Sequence, residues 1–350
     1  MKLKFMEADM KNIWKMEGGK RKTWWWWFWL FFMDNPKNPN KPLQGMILWS
    51  RKREKHILCN GVELNMDHEI LEKVKSKEFH GATASWFFDG NEMHEDFLVK
   101  PAHIALYEDG KLLESKSEFI QEKNGKFHVK INGKQGTFDL TLGMLPNYPP
   151  IHKDHNFAGG LLGYNIFKIN RLSLQGKFTS KGKALPVKGT AYFQKVYVTG
   201  PVIPWQWGLA HFQNGSYLSY NIGRIGQSLF AQSHSPIDLK LRRKLEFFDA
   251  KTGKLYHFRS VKIQRSKGNL PTFTLHCKSN EATLEVSLES YSRALWRLQK
   301  SKSHSLNTLY YHEFCVSAKH FVLNTTSNQI TLKELGKGYG NCEDSKGFLI

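Results

Sequence analysis

Apolar and polar residues alternate along most of this chain, in short runs closed by glycine, proline or asparagine. GMILWS (45–50), ATASWFFD (82–89), RLSLQGKFTS (171–180), TAYFQKVYV (190–198), SYLSYNIG (216–223), PTFTLHCKS (271–279) and ATLEVSLESYSRALWRL (282–298) all carry this period of two. Side chains of a strand point alternately to its two faces, so each run reads as a half-buried strand. Asp109-Gly110, Asn124-Gly125, Asn132-Gly133 and Asn214-Gly215 fall between such runs and predict tight hairpin turns. Only MDHEILEKVKSKEF (66–79) offers helical spacing, with a strand connection as the alternative. The expectation is an all-β chain of antiparallel hairpins in series, the pattern of up-and-down barrels.

Two segments break the half-buried rule. WWWWFWLFFM (24–33) is apolar on both faces, with Trp24, Trp26 and Phe28 on one side and Trp25, Trp27 and Trp29 on the other. A strand of that kind is buried on both sides, as at an interface between two barrels. WQWGLAHF (205–212) places Trp205, Trp207, Leu209 and His211 on a single face. Read as facing a barrel interior, they predict an apolar cavity with one polar handle; the plainer alternative is a tryptophan plug and a core histidine. Trp24, Trp26 and Phe31 match Trp205, Trp207 and Phe212 at a constant offset, which suggests two similar halves. Gly200-Pro201-Val202-Ile203-Pro204 is the break between them, giving expected domains of 1–203 and 204–350.

Composition narrows the functional classes. The chain has 350 residues, is 40% hydrophobic and 13% aromatic, and so can build sizeable cores. Its 51 Lys+Arg against 31 Asp+Glu leave a formal charge of +20, favouring an anionic partner such as an acidic membrane surface. Nucleic acid is disfavoured as that partner, because no RNP, zinc-finger or basic-zipper signature is present. Cys59, Cys277, Cys315 and Cys342 lack paired spacing, which argues against a disulfide framework or zinc site and for reduced thiols in the cytoplasm. The 24–33 run is too short to span a bilayer and has no small-residue cleavage site after it, so a soluble protein is expected. No phosphate loop, nucleophile elbow or HExxH motif is found, which removes the nucleotide-dependent and hydrolase classes. His152, Asp154 and His155 sit within four residues on a Pro-rich stretch expected to be a loop, and no metal is assigned to them.

The Trp-rich run, WFFDG (86–90), YNIFKINRLSLQG (164–176), VKGTAYFQ (187–194), WQWG (205–208), EVSLESY (285–291), YYHEFCVSAKHF (310–321) and GKGYGNCE (336–343) together resemble one group. It is that of the carotenoid 1,2-hydratase (hydroxyneurosporene synthase) and AttH-like proteins, with tocopherol cyclases as distant relatives. The resemblance implies two lipocalin-like barrels and a hydrophobic, isoprenoid- or polyene-like ligand. It also implies cofactor-free hydration, cyclisation or isomerisation. Where those hydratases carry an Asp-His-Asn-type segment, this chain has Gln194-Lys195-Val196-Tyr197, and DHNF occurs earlier, at 154–157. Gln and Lys are poor proton donors to an alkene.

The candidate catalytic residues are therefore His211, Tyr197 and Gln194, with Trp205, Trp207, Trp24, Trp26, Tyr164, Asn165 and Tyr192 as candidate ligand contacts. Indole faces would stack on an unsaturated ligand or stabilise a developing cation. His211 would orient a polar end or move a proton. No cofactor is expected. The alternative is a non-catalytic carrier that delivers a lipophilic molecule to anionic membranes.

Overall fold

The computed structural model describes residues 13, 23–52, 56–65, 70–73, 76–107, 111–114, 118–123, 126–157, 162–200, 203–226, 229, 238–300, 308–347 and 349. They form antiparallel strands and one single-turn helix, as the alternation predicts. The first strands are β1 (Thr23–Met33), β2 (Leu43–Lys52), β3 (His56–Cys59), β4 (Val62–Asn65), β5 (Ile70–Lys73) and β6 (Ser76–Phe88). Next come β7 (Met93–Tyr107), β8 (Lys111–Glu114), β9 (Glu118–Lys123), β10 (Lys126–Gly133), β11 (Gly136–Met144) and β12 (Ile151–Phe157). They are followed by β13 (Leu162–Ser180), β14 (Lys183–Thr199), β15 (Trp205–Phe212), β16 (Tyr217–Gly226), β17 (Asp238–Asp249) and β18 (Lys254–Phe258). Then come β19 (Ser260–Arg265), β20 (Thr272–Lys278), β21 (Ala282–Gln299), β22 (Thr308–Thr325) and β23 (Gln329–Thr331). Helix α1 (Leu332–Leu335) and β24 (Gly338–Gly347) complete the order.

Two sheets result. The first runs β11-β10-β9-β8-β7-β6-β2-β1-β14-β13-β12, with β5 beside β6, and a β11–β13 pairing closes it on itself. The second runs β18-β17-β16-β15-β24-β22-β21-β20-β19 and curls around its own core. One hairpin crosses over: β3 and β4 lie early in the chain but add to the second sheet, where Cys59 and Leu58 pair with Leu298 and Gln299 of β21.

Three apolar layers follow from this. Trp25, Trp27, Trp29, Phe31, Phe127, Phe138 and Phe193 fill the first barrel. Phe212, Tyr220, Phe247, Phe273 and Phe314 fill the second. Between the sheets lie Phe28, Leu30, Phe32, Trp86, Tyr192, Trp207, Leu209 and Trp296. Strand β1 thus sits between a barrel core and the interface, which is why it needs aromatic residues on both faces. The barrel interiors are filled with side chains, the usual state of small barrels.

Three local expectations change. The stretch 66–79 supplies β5 and the start of β6 where it is described, not a helix; residues 66–69 and 74–75 lie outside the described residues. Asp154 to Phe157 belong to β12 rather than to a loop. Asn132-Gly133 ends β10, and the two-residue turn is Lys134-Gln135. Gly133 is needed for space, since a Cβ there would come within 2.2 Å of the Phe97 ring. Asn214-Gly215 does form its turn, with Gly215 at φ +101°. The Asp109-Gly110 and Asn124-Gly125 turns fall outside the described residues. Among the described residues no helix is long and apolar enough to cross a membrane.

Candidate active site between the sheets

Trp205, Trp207, Leu209 and His211 do share one face of β15, but that face looks onto the interface. The barrel-interior placement expected for them belongs instead to Ala210 and Phe212. Opposite stands β1, whose Phe28 meets Trp207 edge-on at 6.2 Å and whose Phe32 meets His211 at 5.0 Å. Trp24 and Trp26 pack at the margin of the same layer.

The alternation of β14 puts Tyr192 and Gln194 on the interface side. Tyr192 packs against Trp207 in a tilted pair at 5.4 Å and donates its hydroxyl hydrogen to Gln194 Oε1 at 3.0 Å. Tyr197 points the other way, against Trp25 at 4.2 Å. Both faces of β14 are interior, one in the first barrel and one in the layer between the sheets. Tyr164 shares the register row of Val198 and Trp24 near the start of β13. Asn165 donates to His152 Nε2 at 2.6 Å.

His211 is buried, and both ring nitrogens are occupied. Thr190 Oγ1 donates to Nδ1 at 2.8 Å, while Nε2 donates to the Asn170 carbonyl at 2.7 Å. Burial, reinforced by the Arg171 guanidinium, holds its pKa well below the ordinary histidine value. A neutral imidazole with both nitrogens engaged is a crosslink between the sheets, since it joins β15 to residues of β13 and β14.

The titratable centre of the interface is elsewhere. Across the second sheet, Trp207, Glu343, Glu313 and Ala294 occupy one register row on β15, β24, β22 and β21. Glu313 and Glu343 are therefore directly opposed on neighbouring antiparallel strands, where side chains stand about 5 Å apart at Cβ. Both are buried. Trp205 Nε1 donates to Glu343 Oε2 at 2.6 Å, and Asn341 Nδ2 donates to Glu313 Oε2 at 3.3 Å. The Tyr311 phenol lies against both carboxyls. Trp86 approaches Glu313 from the first sheet, at a geometry that closes no hydrogen bond with its indole N–H. Each carboxyl keeps one oxygen, Oε1, without a hydrogen-bond partner, and so does Asn341 Oδ1. Among the described residues neither carboxyl forms an ion pair.

Burial drives both acids in the same direction. Burial disfavours the carboxylate, and the negative charge of Glu343 adds to the effect on Glu313. Glu313 is raised well above the usual carboxylate range, and burial lifts Glu343 to about 7. Two carboxyls at this spacing cannot both ionise in an apolar layer, so the pair retains a proton at neutral pH. That is a general acid and a general base side by side, walled by indole and phenol rings.

A second buried acid on the same interface shows the contrast. Glu246 of β17 receives Lys153 at 2.6 Å and Lys168 at 3.2 Å from the first sheet, with His257 at 3.7 Å. Burial pushes its pKa up, but the two lysines outweigh that and hold it below the ordinary range. This acid is a permanently charged clasp.

Sequence reasoning reached the strands of the carboxyl pair, through YYHEFCVSAKHF and GKGYGNCE, but not the two acids. The available signal was an isolated Glu flanked by residues of buried strands; pairing the two required the β22–β24 register. Two open grooves on the second sheet, about 430 and 600 Å³, are lined by residues such as Lys254 and Asn328, or Lys262 and His320. Neither includes any expected site residue. Among the described residues no cluster of three or more metal-ligating His, Cys, Asp or Glu side chains occurs.

No family model matches the chain, and no curated protein matches it. Solved structures do. A protein of Nitrosomonas europaea provisionally assigned as an AttH superposes with a TM-score of 0.52 at 13% identity, covering 92% of each chain. Kievitone hydratase of Nectria haematococca gives a TM-score of 0.46 at 14% identity, over 93% of this chain and 89% of that one. The first likeness extends over nearly the whole of both chains and establishes that this all-β, two-sheet architecture is a shared fold.

Proposed function

We propose that the chain is a cofactor-free acid–base enzyme that adds water to, or removes it from, a carbon–carbon double bond of a hydrophobic molecule held between the sheets. The observation that carries this reading is the buried Glu313–Glu343 pair, which keeps a proton at neutral pH inside an aromatic layer. In the hydration direction the protonated carboxyl gives its proton to one alkene carbon. Positive charge then develops on the other carbon, where the π faces of Trp205 and Trp207 and the neighbouring carboxylate stabilise it. Water adds to that carbon and its surplus proton passes to the carboxylate. The pair ends with the same proton count, its roles exchanged. Dehydration is the same sequence reversed.

An acid supplied by β22 and β24 also accounts for the absence of Asp-His-Asn at Gln194 to Tyr197. In this reading Gln194 and Tyr192 orient the substrate, His211 holds the sheets in register, and Tyr197 belongs to the barrel core.

The test is incubation of the purified chain with a panel of prenylated phenols and polyenes in ¹⁸O-labelled water, followed by mass spectrometry. Incorporation of one labelled oxygen, lost in Glu343→Gln and Glu313→Gln, is expected. Uptake of a compound without conversion, equal in the parent chain and both variants, would replace the enzyme by the carrier.

A further inference from the structure

One end of the second barrel is apolar and basic at once. Ile225 and Leu239 face each other across β16 and β17 and are 40% and 66% exposed, and Leu270, in the turn after β19, is 49% exposed. Only five large apolar side chains among the described residues are exposed to this degree, and three of them lie here. Asp344 ties the end of β16 and the end of β19 to the same side of the barrel. It takes Arg224 Nη2, one residue from Ile225, at 2.7 Å, and Arg265 Nε, at the start of the Leu270 turn, at 3.4 Å.

The surrounding charge is predominantly positive. From Lys240 to Lys244 the sequence has four cations (Lys240, Arg242, Arg243, Lys244) and no acid. Arg243, Lys244 and Lys267 are exposed. The neighbouring buried acids subtract little from this field. Asp344 is consumed by two arginines, and the Glu313–Glu343 pair retains a proton. A bare nucleic-acid footprint would not need the exposed Ile and Leu, whereas a bilayer surface takes apolar side chains into its acyl boundary and attracts cations to acidic headgroups.

We propose that this end of the second barrel, built on Ile225, Leu239 and Leu270 with the exposed cations Arg243, Lys244 and Lys267 on the same strand and turn, docks on the surface of an anionic lipid bilayer. The docking face adjoins the interface. The Arg224 N–H donates to the Pro204 carbonyl at 2.8 Å, immediately before Trp205, and Asp344 follows Glu343 in β24. If the acid–base reading of the interface is also right, this position lets a lipophilic substrate pass from the membrane to the carboxyl pair without crossing water.

Flotation of the full chain with vesicles of phosphatidylcholine, with and without phosphatidylserine, tests the docking. Binding to the phosphatidylserine vesicles, at least about tenfold tighter than to phosphatidylcholine alone and weakened by salt, is expected. Ile225→Glu with Leu239→Glu should lower it by about tenfold or more, since each loses its apolar insertion. Leu185→Glu, which changes a leucine of the first sheet about as exposed as Ile225, should float like the parent chain. Equal binding to both vesicle types would overturn the proposal, as would insensitivity to the double substitution. Retention of RNA at physiological salt by a chain that floats with neither vesicle would also overturn it. Glu343→Gln should float normally, so the docking stands or falls separately from the acid chemistry.

Discussion

Two groups of buried glutamate lie on the same interface, and their neighbours give them opposite properties. Glu246 is met by two lysines and held ionised; among the described residues Glu313 and Glu343 are met by each other, tryptophan, tyrosine and asparagine, and are held protonated in part. Burial alone raises all three. The sign of the outcome is decided by whether a cation accompanies the carboxyl into the apolar layer. The first arrangement joins the sheets, and the second stores a proton at a cost in stability, as reactive sites commonly do.

The sharpest break of this comparison is in turnover. Glu313→Gln or Glu343→Gln should lower the rate on a substrate found by the labelling screen by about 10²–10⁴-fold, the usual worth of a positioned acid or base. Glu246→Gln should leave the rate per folded molecule near that of the parent. Next comes stability. Glu246→Gln strands Lys168 and Lys153 without their carboxylate and should cost about 3–5 kcal/mol in urea unfolding. Glu313→Gln at neutral pH should instead stabilise, by about 1–2 kcal/mol, because it removes a group whose charged form is favoured in the unfolded chain.

The two groups also predict opposite slopes of stability with pH. The folded pKa of Glu246 lies below its unfolded value, so its contribution is present above the ordinary carboxylate pKa and is lost as the solution becomes more acidic. The folded pKa values of Glu313 and Glu343 lie above theirs. Their contribution is present below the ordinary carboxylate pKa and is lost as pH rises, for Glu343 through about 7. Comparing Glu313→Gln with the parent chain between pH 5 and 8 should therefore show an increasing advantage for the variant. The smallest effect is at His257, which is half exposed. His257→Ala should change stability by less than about 1 kcal/mol, as for other solvated pairs with one flexible partner.

The sequence conveyed the class of fold and the layering of β1 because both follow from alternation, which is local. It placed Trp205, Trp207 and His211 on one face for the same reason. Which layer that face meets is decided by how two sheets pack, so the expected barrel interior became an interface. The same limit hid Glu313 and Glu343. They are separated by 30 positions' worth of strand, turn and helix, including β23 and α1, and become a pair only through the β22–β24 register. His211 looked chemically apt because imidazole titrates near neutrality; the hydrogen bonds from Thr190 and to Asn170 that occupy it are tertiary. The 66–79 stretch had helical spacing, but the described part of it pairs along β6 and β7, and sheet context overrides weak propensity.

The crossing hairpin β3–β4 bears on how the chain is made. Asn60 and Arg297, 237 positions apart, exchange hydrogen bonds, and Ile57, Cys59 and Leu64 bury themselves among residues from the C-terminal half. During synthesis those side chains leave the ribosome long before β21 exists to receive them. The nascent first barrel must therefore carry an exposed apolar flap until β21 is synthesised, the kind of transient surface that chaperones shield.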